Sequence, residues 1–183
     1  MHYLIIAIAL LLGIKSCEND KKQINAIKPP TVRPSQRSVD ATILYSDSGS
    51  LKAVLKTKEM LAYEKNMDAP FVLMNKGLKL VFYNKEQKPT STLTADQGVY
   101  FTKSGKAYVK YNVKVANNKH ETLYTENLYW DQKKEKIIAD KNVKIVTPTQ
   151  IIMGTGLESD QDFSEYTIKN ISGIIQLDST SKK

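Results

Sequence analysis

Residues 92–116 read TLTADQGVYFTKSGKAYVKYNVKVA, and residues 122–146 read TLYTENLYWDQKKEKIIADKNVKIV. The two stretches align without a gap. Seven of the 25 pairs are identical, among them Thr92/Thr122, Leu93/Leu123 and Asn112-Val113-Lys114 with Asn142-Val143-Lys144. Self-similarity at a fixed period marks a repeated supersecondary unit. Inside the first copy, Val109, Tyr111, Val113 and Val115 alternate with Lys110, Asn112 and Lys114, the two-residue period of a half-buried strand. In the second copy Ile137, Ala139, Val143 and Ile145 stand opposite Asp140, Asn142 and Lys144. Each unit reads as about two short strands. One unit cannot bury its apolar face alone, but a stack of them can.

The pattern extends in both directions. Gly77-Leu78-Lys79-Leu80 echoes the Asn-Val-Lys-Val segment, and Lys79-Leu80-Val81-Phe82-Tyr83 is a β-branched and aromatic run suited to a strand. Ile151-Ile152-Met153-Gly154 through Leu157 is a later echo. Turn residues fall between the strands at Asn84–Pro89, Lys103–Gly105, Asn117–His120 and Asp131–Lys136. Leu51–Lys58 is read as strand. The fold class is therefore all-β, a twisted, partly open array of repeated antiparallel strand units, with its domain over 41–177. Ten Tyr against four Phe and one Trp fit half-buried sheet surfaces.

The ends differ from this middle. Leu4–Ile14 is an apolar run too short to span a bilayer as a helix but suited to a secretory leader. Gly13-Ile14-Lys15-Ser16-Cys17 follows, with a small residue before the single cysteine of the chain. This resembles a lipoprotein signal over 1–16, with Cys17 as the acylated first residue, so that acyl chains hold the protein on a membrane. Residues 17–40 are polar, contain Pro29, Pro30 and Pro34, and read as an extended tether. Residues 178–183 read as a polar tail.

The formal charge is +8, but only Arg33 and Arg37 supply guanidinium groups. Scattered lysines with almost no arginine argue against base-specific nucleic-acid binding. Enzymatic chemistry finds little to work with. Apart from His2 in the leader, the one histidine is His120, in a polar turn. There is no nucleophile elbow, Cys–His pair, zinc cluster or phosphate-cradling glycine loop. Glu158, Asp160 and Asp162 cluster on a turn and read as cap or salt-bridge groups. The reading is of a non-enzyme without metal or cofactor.

One segment is distinctive. Gly154-Thr155-Gly156-Leu157-Glu158-Ser159-Asp160-Gln161-Asp162-Phe163-Ser164-Glu165-Tyr166-Thr167-Ile168 runs on to Gly173. With Leu93–Tyr100 and the Asn-Val-Lys-Val units, it resembles the LptC family over about residues 40–177. The resemblance implies a partly open β-jellyroll in the periplasm, related to the soluble bridge protein LptA and its OstA-like domain. It implies lipopolysaccharide as cargo, received from an inner-membrane ABC transporter of the LptBFG kind and passed to an LptA-like bridge, with no nucleic acid involved. Family members commonly carry an N-terminal transmembrane helix. Here the apolar run is too short, and a lipid on Cys17 would replace it, placing the protein on the periplasmic side of the inner membrane.

On this reading, inward residues line a groove for acyl chains. They are Leu78, Leu80 and Phe82; Leu93; Val99 and Phe101; Val109, Tyr111, Val113 and Val115; Ile137, Val143 and Ile145; and Met153. The open edges, near Ala41–Tyr45 and Tyr166–Leu177, would pair with partner strands. Gly154, Gly156, Leu157, Glu158, Asp160, Phe163, Tyr166, Ile168 and Gly173 carry the family pattern. Two rival readings stay open: an LptA-like bridge or outer-membrane-associated partner, and a surface lipoprotein that binds glycan or protein through exposed aromatic pads. Cells fed a labelled lipid precursor should incorporate the label at Cys17, and a Cys17→Ser chain should carry none; label retained in that variant would remove the anchor.

Overall fold

In a computed structural model, which describes residues 33–65 and 68–177, every described regular element is a strand. The strands are β1 (Gln36–Asp47), β2 (Ser50–Tyr63), β3 (Phe71–Met74), β4 (Leu78–Tyr83), β5 (Pro89–Ala95), β6 (Gln97–Phe101), β7 (Lys106–Asn117), β8 (Thr122–Asp131), β9 (Lys136–Val146), β10 (Gln150–Asp160) and β11 (Tyr166–Gln176). The leader, Cys17, Pro29, Pro30 and the tail lie outside the described residues. β1 begins at Gln36, ahead of the boundary expected at 41, because Gln36–Val39 pair with Glu59–Ala62 of β2.

The sheet is a simple antiparallel meander. β3 and β4 lie end to end beside β2, β3 opposite Leu61–Tyr63 and β4 opposite Ala53–Thr57. β5 and β6 likewise lie end to end beside β7. Counted as such, long strands follow one another in chain order from β1 to β11. β1 pairs only with β2 and β11 only with β10 among the described residues, so both sheet edges are open.

Several of the long strands are irregular near their middle. Asp40 (φ 50°), Gly77 (φ 76°), Tyr111 (φ 66°), Asn112 (φ 51°) and Gly156 (φ 76°) are left-handed. Register slips occur between Lys110 and Val113, between Thr125 and Tyr129, and between Thr155 and Leu157. Gly accepts left-handed backbone at no steric cost, and Asn and Asp tolerate it better than other residues. That accounts for Gly77 in front of Leu78-Lys79 and Asn112 in front of Val113-Lys114, whereas Asn142, in front of Val143-Lys144, is not left-handed. A bulge bends its strand. Bulges set side by side fold the whole sheet across one line into two facing layers.

The layers enclose the core. In the first layer, cross-strand register makes a single inward row of Ile43, Leu55, Leu80, Leu93, Val115, Leu123, Ile145, Ile152 and Ile174. Its central members Val115, Leu123 and Ile145 are wholly inaccessible. The second layer answers with Val109, Leu128, Ile137, Ala139 and Leu157. Glu59 lies at the bend of β2, buried, and its Oε1 accepts from Arg37 Nη2 at 2.7 Å and Lys76 Nζ at 3.1 Å. The hydrogen bond from Arg37, then that from Lys76, holds its carboxyl below the usual range.

Four expected groove residues face the other way. Tyr111 is turned outward by the bulge it forms with Asn112 and is 48% exposed. The break at Asp96 shifts the alternation, so Gly98 and Tyr100 point inward while Val99 and Phe101 lie on the outer face. There Val99 stands opposite Leu73 and Tyr108, and Phe101 touches Phe71 and Tyr108, ring centroids 6.1 Å away in each case. Met153 is exposed because Ile152 takes the inward place beside Ile145. Leu123→Ala should cost about 2–5 kcal/mol in chemical denaturation, whereas Leu44→Ala, at an exposed edge position, should stay within about 0.5 kcal/mol.

Candidate functional site

The site to be considered is the space between the two layers. Leu78, Phe82, Leu93, Val109, Val113, Val115, Ile137, Val143 and Ile145 face it and are buried, and Leu80 packs against them. In this structure the two inner faces touch. Side chains that are 0% exposed, such as Val115, Leu123, Ile137 and Ile145, leave no open channel at their own positions. A long apolar guest at those positions has to separate the layers, and what joins them away from the bend decides how.

Two sets of contacts join the layers there. The first is aromatic. Trp130, on the second-layer half of β8, meets Phe82 of β4 edge to face at 5.8 Å and Tyr45 of β1 at 6.5 Å. Edge-to-face pairs add about 0.5–1.5 kcal/mol each beyond their buried area. The Trp130 Nε1 donates to Gln161 Oε1 at 3.3 Å, and the Tyr100 hydroxyl donates to Gln132 Oε1 at 2.7 Å.

The second set is a latch made by residues 161–165, the turn between β10 and β11. Phe163 at its tip is 0% exposed and left-handed at φ 56°. Bulky residues avoid that backbone region, so burial of the ring must outweigh the strain. Its ring stacks on Tyr166 at 4.9 Å. Asn117 Nδ2, from the far end of the first layer, donates to the Phe163 carbonyl at 2.9 Å, and Lys119 Nζ donates to the Ser164 carbonyl at 2.8 Å. The Tyr166 hydroxyl donates to Glu121 Oε1 at 3.3 Å. Burial, with the Glu121 carboxylate beside it, pushes that hydroxyl up to about 12, so it stays a donor at any physiological pH.

The remaining residues of the distinctive segment shape the same region. A side chain at Gly154 would put its Cβ 2.5 Å from the Asn170 carbonyl oxygen, so only glycine lets β11 approach here. Gly156 supplies the left-handed bend of β10. Leu157 is wholly buried, Ile168 packs against the core, Gly173 pairs with Met153, and Glu158 points to solvent. Asp160 is held by Lys136 Nζ at 2.8 Å, and Asp162 Oδ1 accepts from the Ser164 amide at 3.2 Å. These acids therefore cap and pair, as their place on a turn implied. Among the described residues no group of three or more His, Cys, Asp or Glu side chains is placed to hold a metal ion.

Sequence reasoning did not single out Tyr45, Asn117, Glu121 or Trp130. The lone Trp between strand residues was the one available signal. The pairing of Asn117 with Phe163 spans 46 residues and has no local trace. Phe163→Ala should lower stability by about 3–5 kcal/mol, and amide exchange should quicken first at Asn117–Glu121 while strands beside the bend stay protected; uniform quickening would show that the latch is not a separate unit.

The geometry comes down to an open-edged, two-layered meander with an apolar interior and a latched mouth. Comparison with curated proteins returns no match. A family model described as "Lipopolysaccharide-assembly, LptC-related" matches residues 2–175, nearly the whole chain and both edge strands. The chain belongs to the LptC family.

Proposed function

We propose that this protein carries lipopolysaccharide by its acyl chains between the two layers, taking it from an inner-membrane ABC transporter at one edge and passing it to an LptA-like bridge at the other. Membership of the family places the chain in lipopolysaccharide transport and in the cell envelope. The finer role rests on one observation, the unbroken inward row from Ile43 to Ile174 that runs across the sheet from one open edge to the other. Burying one methylene contributes about 0.8 kcal/mol, so a chain of a dozen carbons contributes on the order of 10 kcal/mol before ordering costs. That is enough to hold a guest, and separating the packed layers offsets part of it, which lets the guest leave.

The edges support the same reading. Of the eleven exposed large hydrophobic residues among the described residues, Val39, Ile43 and Leu44 lie on β1, and Ile171, Ile174 and Ile175 lie on β11 with Leu177 just beyond. Open edges that carry apolar side chains are templates for an added strand, and the charges there are few: Arg37, Asp40 and Asp47 on β1, and Lys169 on β11. We assign β1 to the transporter and β11 to the bridge, with the chain held at the inner membrane through a lipid on Cys17. A photo-crosslinker at Phe82, Val113 or Val143 should capture lipopolysaccharide in cells, and one at Leu44 or Ile175 should capture protein instead. Absence of a lipid adduct at every inward position would overturn the carriage.

A further inference from the structure

The lysine of the repeated Val-Lys-Val segment does not serve the core. The register sets Lys56 opposite Lys79, Lys79 opposite Thr94, Thr94 opposite Lys114, Lys114 opposite Tyr124 and Tyr124 opposite Lys144. Four lysines and one tyrosine therefore share a single outward row across β2, β4, β7, β8 and β9, and all five are exposed. None of the three ion pairs found among the described residues uses any of these lysines. Like charges directly opposite each other, as Lys56 and Lys79 are, destabilise a sheet. Nor do they guard an edge, since every one of these strands is paired on both sides. That pair costs stability, and no lysine of the row joins an ion pair, so a line of uncompensated positive charge points to an anionic partner.

The row runs beside two open clefts at the bend. One, of about 690 Å³, is bordered by Lys114, Tyr124 and Lys144 with the asparagine at each bulge, Asn112 and Asn142, and has Glu126 as its carboxylate. The other, of about 440 Å³, is bordered by four lysines, Lys56 and Lys79 among them, against the single carboxylate of Asp40. Lys114 Nζ sits 5.8 Å from the centre of the Tyr124 ring, which stands between two of the lysines. Adjacent strands rotate by roughly 20–25°, so the row turns through about 100° between β2 and β9. A flat membrane meets only part of such a track, whereas a flexible chain can follow all of it.

We propose that this row binds a phosphate-bearing oligosaccharide on the outside of the sheet, with lysines on its phosphates and Tyr124 beneath a sugar ring. Lysine meets phosphate as a point charge and needs no fixed approach, which suits a mobile chain. The site does not depend on acyl carriage, which uses the opposite face of the same strands.

The test uses the full chain in mild detergent and a deacylated lipopolysaccharide oligosaccharide with its phosphates retained. Changing Lys56, Lys79, Lys114 and Lys144 together to Gln should weaken binding about tenfold, the sum of several weak exposed charge contacts. The same change at the turn residues Lys85, Lys103, Lys133 and Lys134, which removes equal charge, should leave binding unchanged. The dephosphorylated oligosaccharide should bind as poorly to the native chain as the phosphorylated one does to the row variant. Lipid crosslinking at Val113 should survive in the row variant, which separates this site from the interior. Equal loss in the two lysine sets would overturn the proposal. So would row-dependent capture of phosphatidylglycerol vesicles without binding of the oligosaccharide, since the partner would then be a membrane surface.

Discussion

The alignment of backbone irregularities across the meander is the constraint on which everything else depends. A bulge in one strand bends that strand, but a bend confined to one strand would break its pairing with both neighbours. Here irregularities fall near one level on strand after strand, at Asp40, at Gly77, at Asp96, at Tyr111–Asn112, between Thr125 and Tyr129, and at Gly156. The ladder therefore resumes on both sides of the line, and a single sheet becomes two layers without a crossover connection. Core, mouth and both edges follow from that bend. The inward row is continuous because each strand enters the first layer with the same parity.

The same irregularities explain how far the sequence was legible. Alternation within one half-strand was readable, so Leu93, Val113, Val115, Val143 and Ile145 are inward as expected, and the turns fall where Gly, Asn and Lys cluster. Alternation carried across a bulge was not. Tyr111 sits inside the bulge it forms with Asn112, and Val99 and Phe101 follow the break at Asp96, so none of the three keeps the inward parity of Leu93. A repeated Asn does not announce its dihedral, since Asn112 is left-handed and its counterpart Asn142 is not. Leu78, Leu80 and Phe82 escaped the error because they lie wholly on one side of Gly77. The distinctive closing segment was legible as a pattern only. That Phe163 is its buried tip, and that Asn117 holds it, depends on the angle between the layers, which no local spacing records.

The interior and the edges make opposite demands. A core that excludes water at Leu123 and Ile137 stabilises the folded chain, while a carrier of acyl chains must let that core part. The meander resolves the conflict by location. At the bend the layers are one continuous hydrogen-bonded sheet, so they cannot separate without unpairing backbone groups, each a costly loss when buried. At the mouth they meet through contacts that each involve a side chain: Trp130 against Phe82 and Tyr45, and the latch in which Asn117 and Lys119 donate to the carbonyls of Phe163 and Ser164. For the proposed carriage, separation would therefore begin at the mouth, with the bend as its hinge.

The order of opening follows from the two mouth contacts. The aromatic contact joins β8 to β1 and β4, near the N-terminal edge, and the latch joins the turn before β11 to the turn after β7, toward the C-terminal edge. Each contact thus sits closer to one edge strand than to the other. Tyr45, on the edge strand β1, rests its ring on Trp130, and Tyr166, on the edge strand β11, rests its ring on Phe163. Under the proposed docking, a partner strand at β1 would act on the first contact and one at β11 on the second. Directional passage of a guest needs no more than that asymmetry, because a mouth that opens at one end while closed at the other admits and releases at different places.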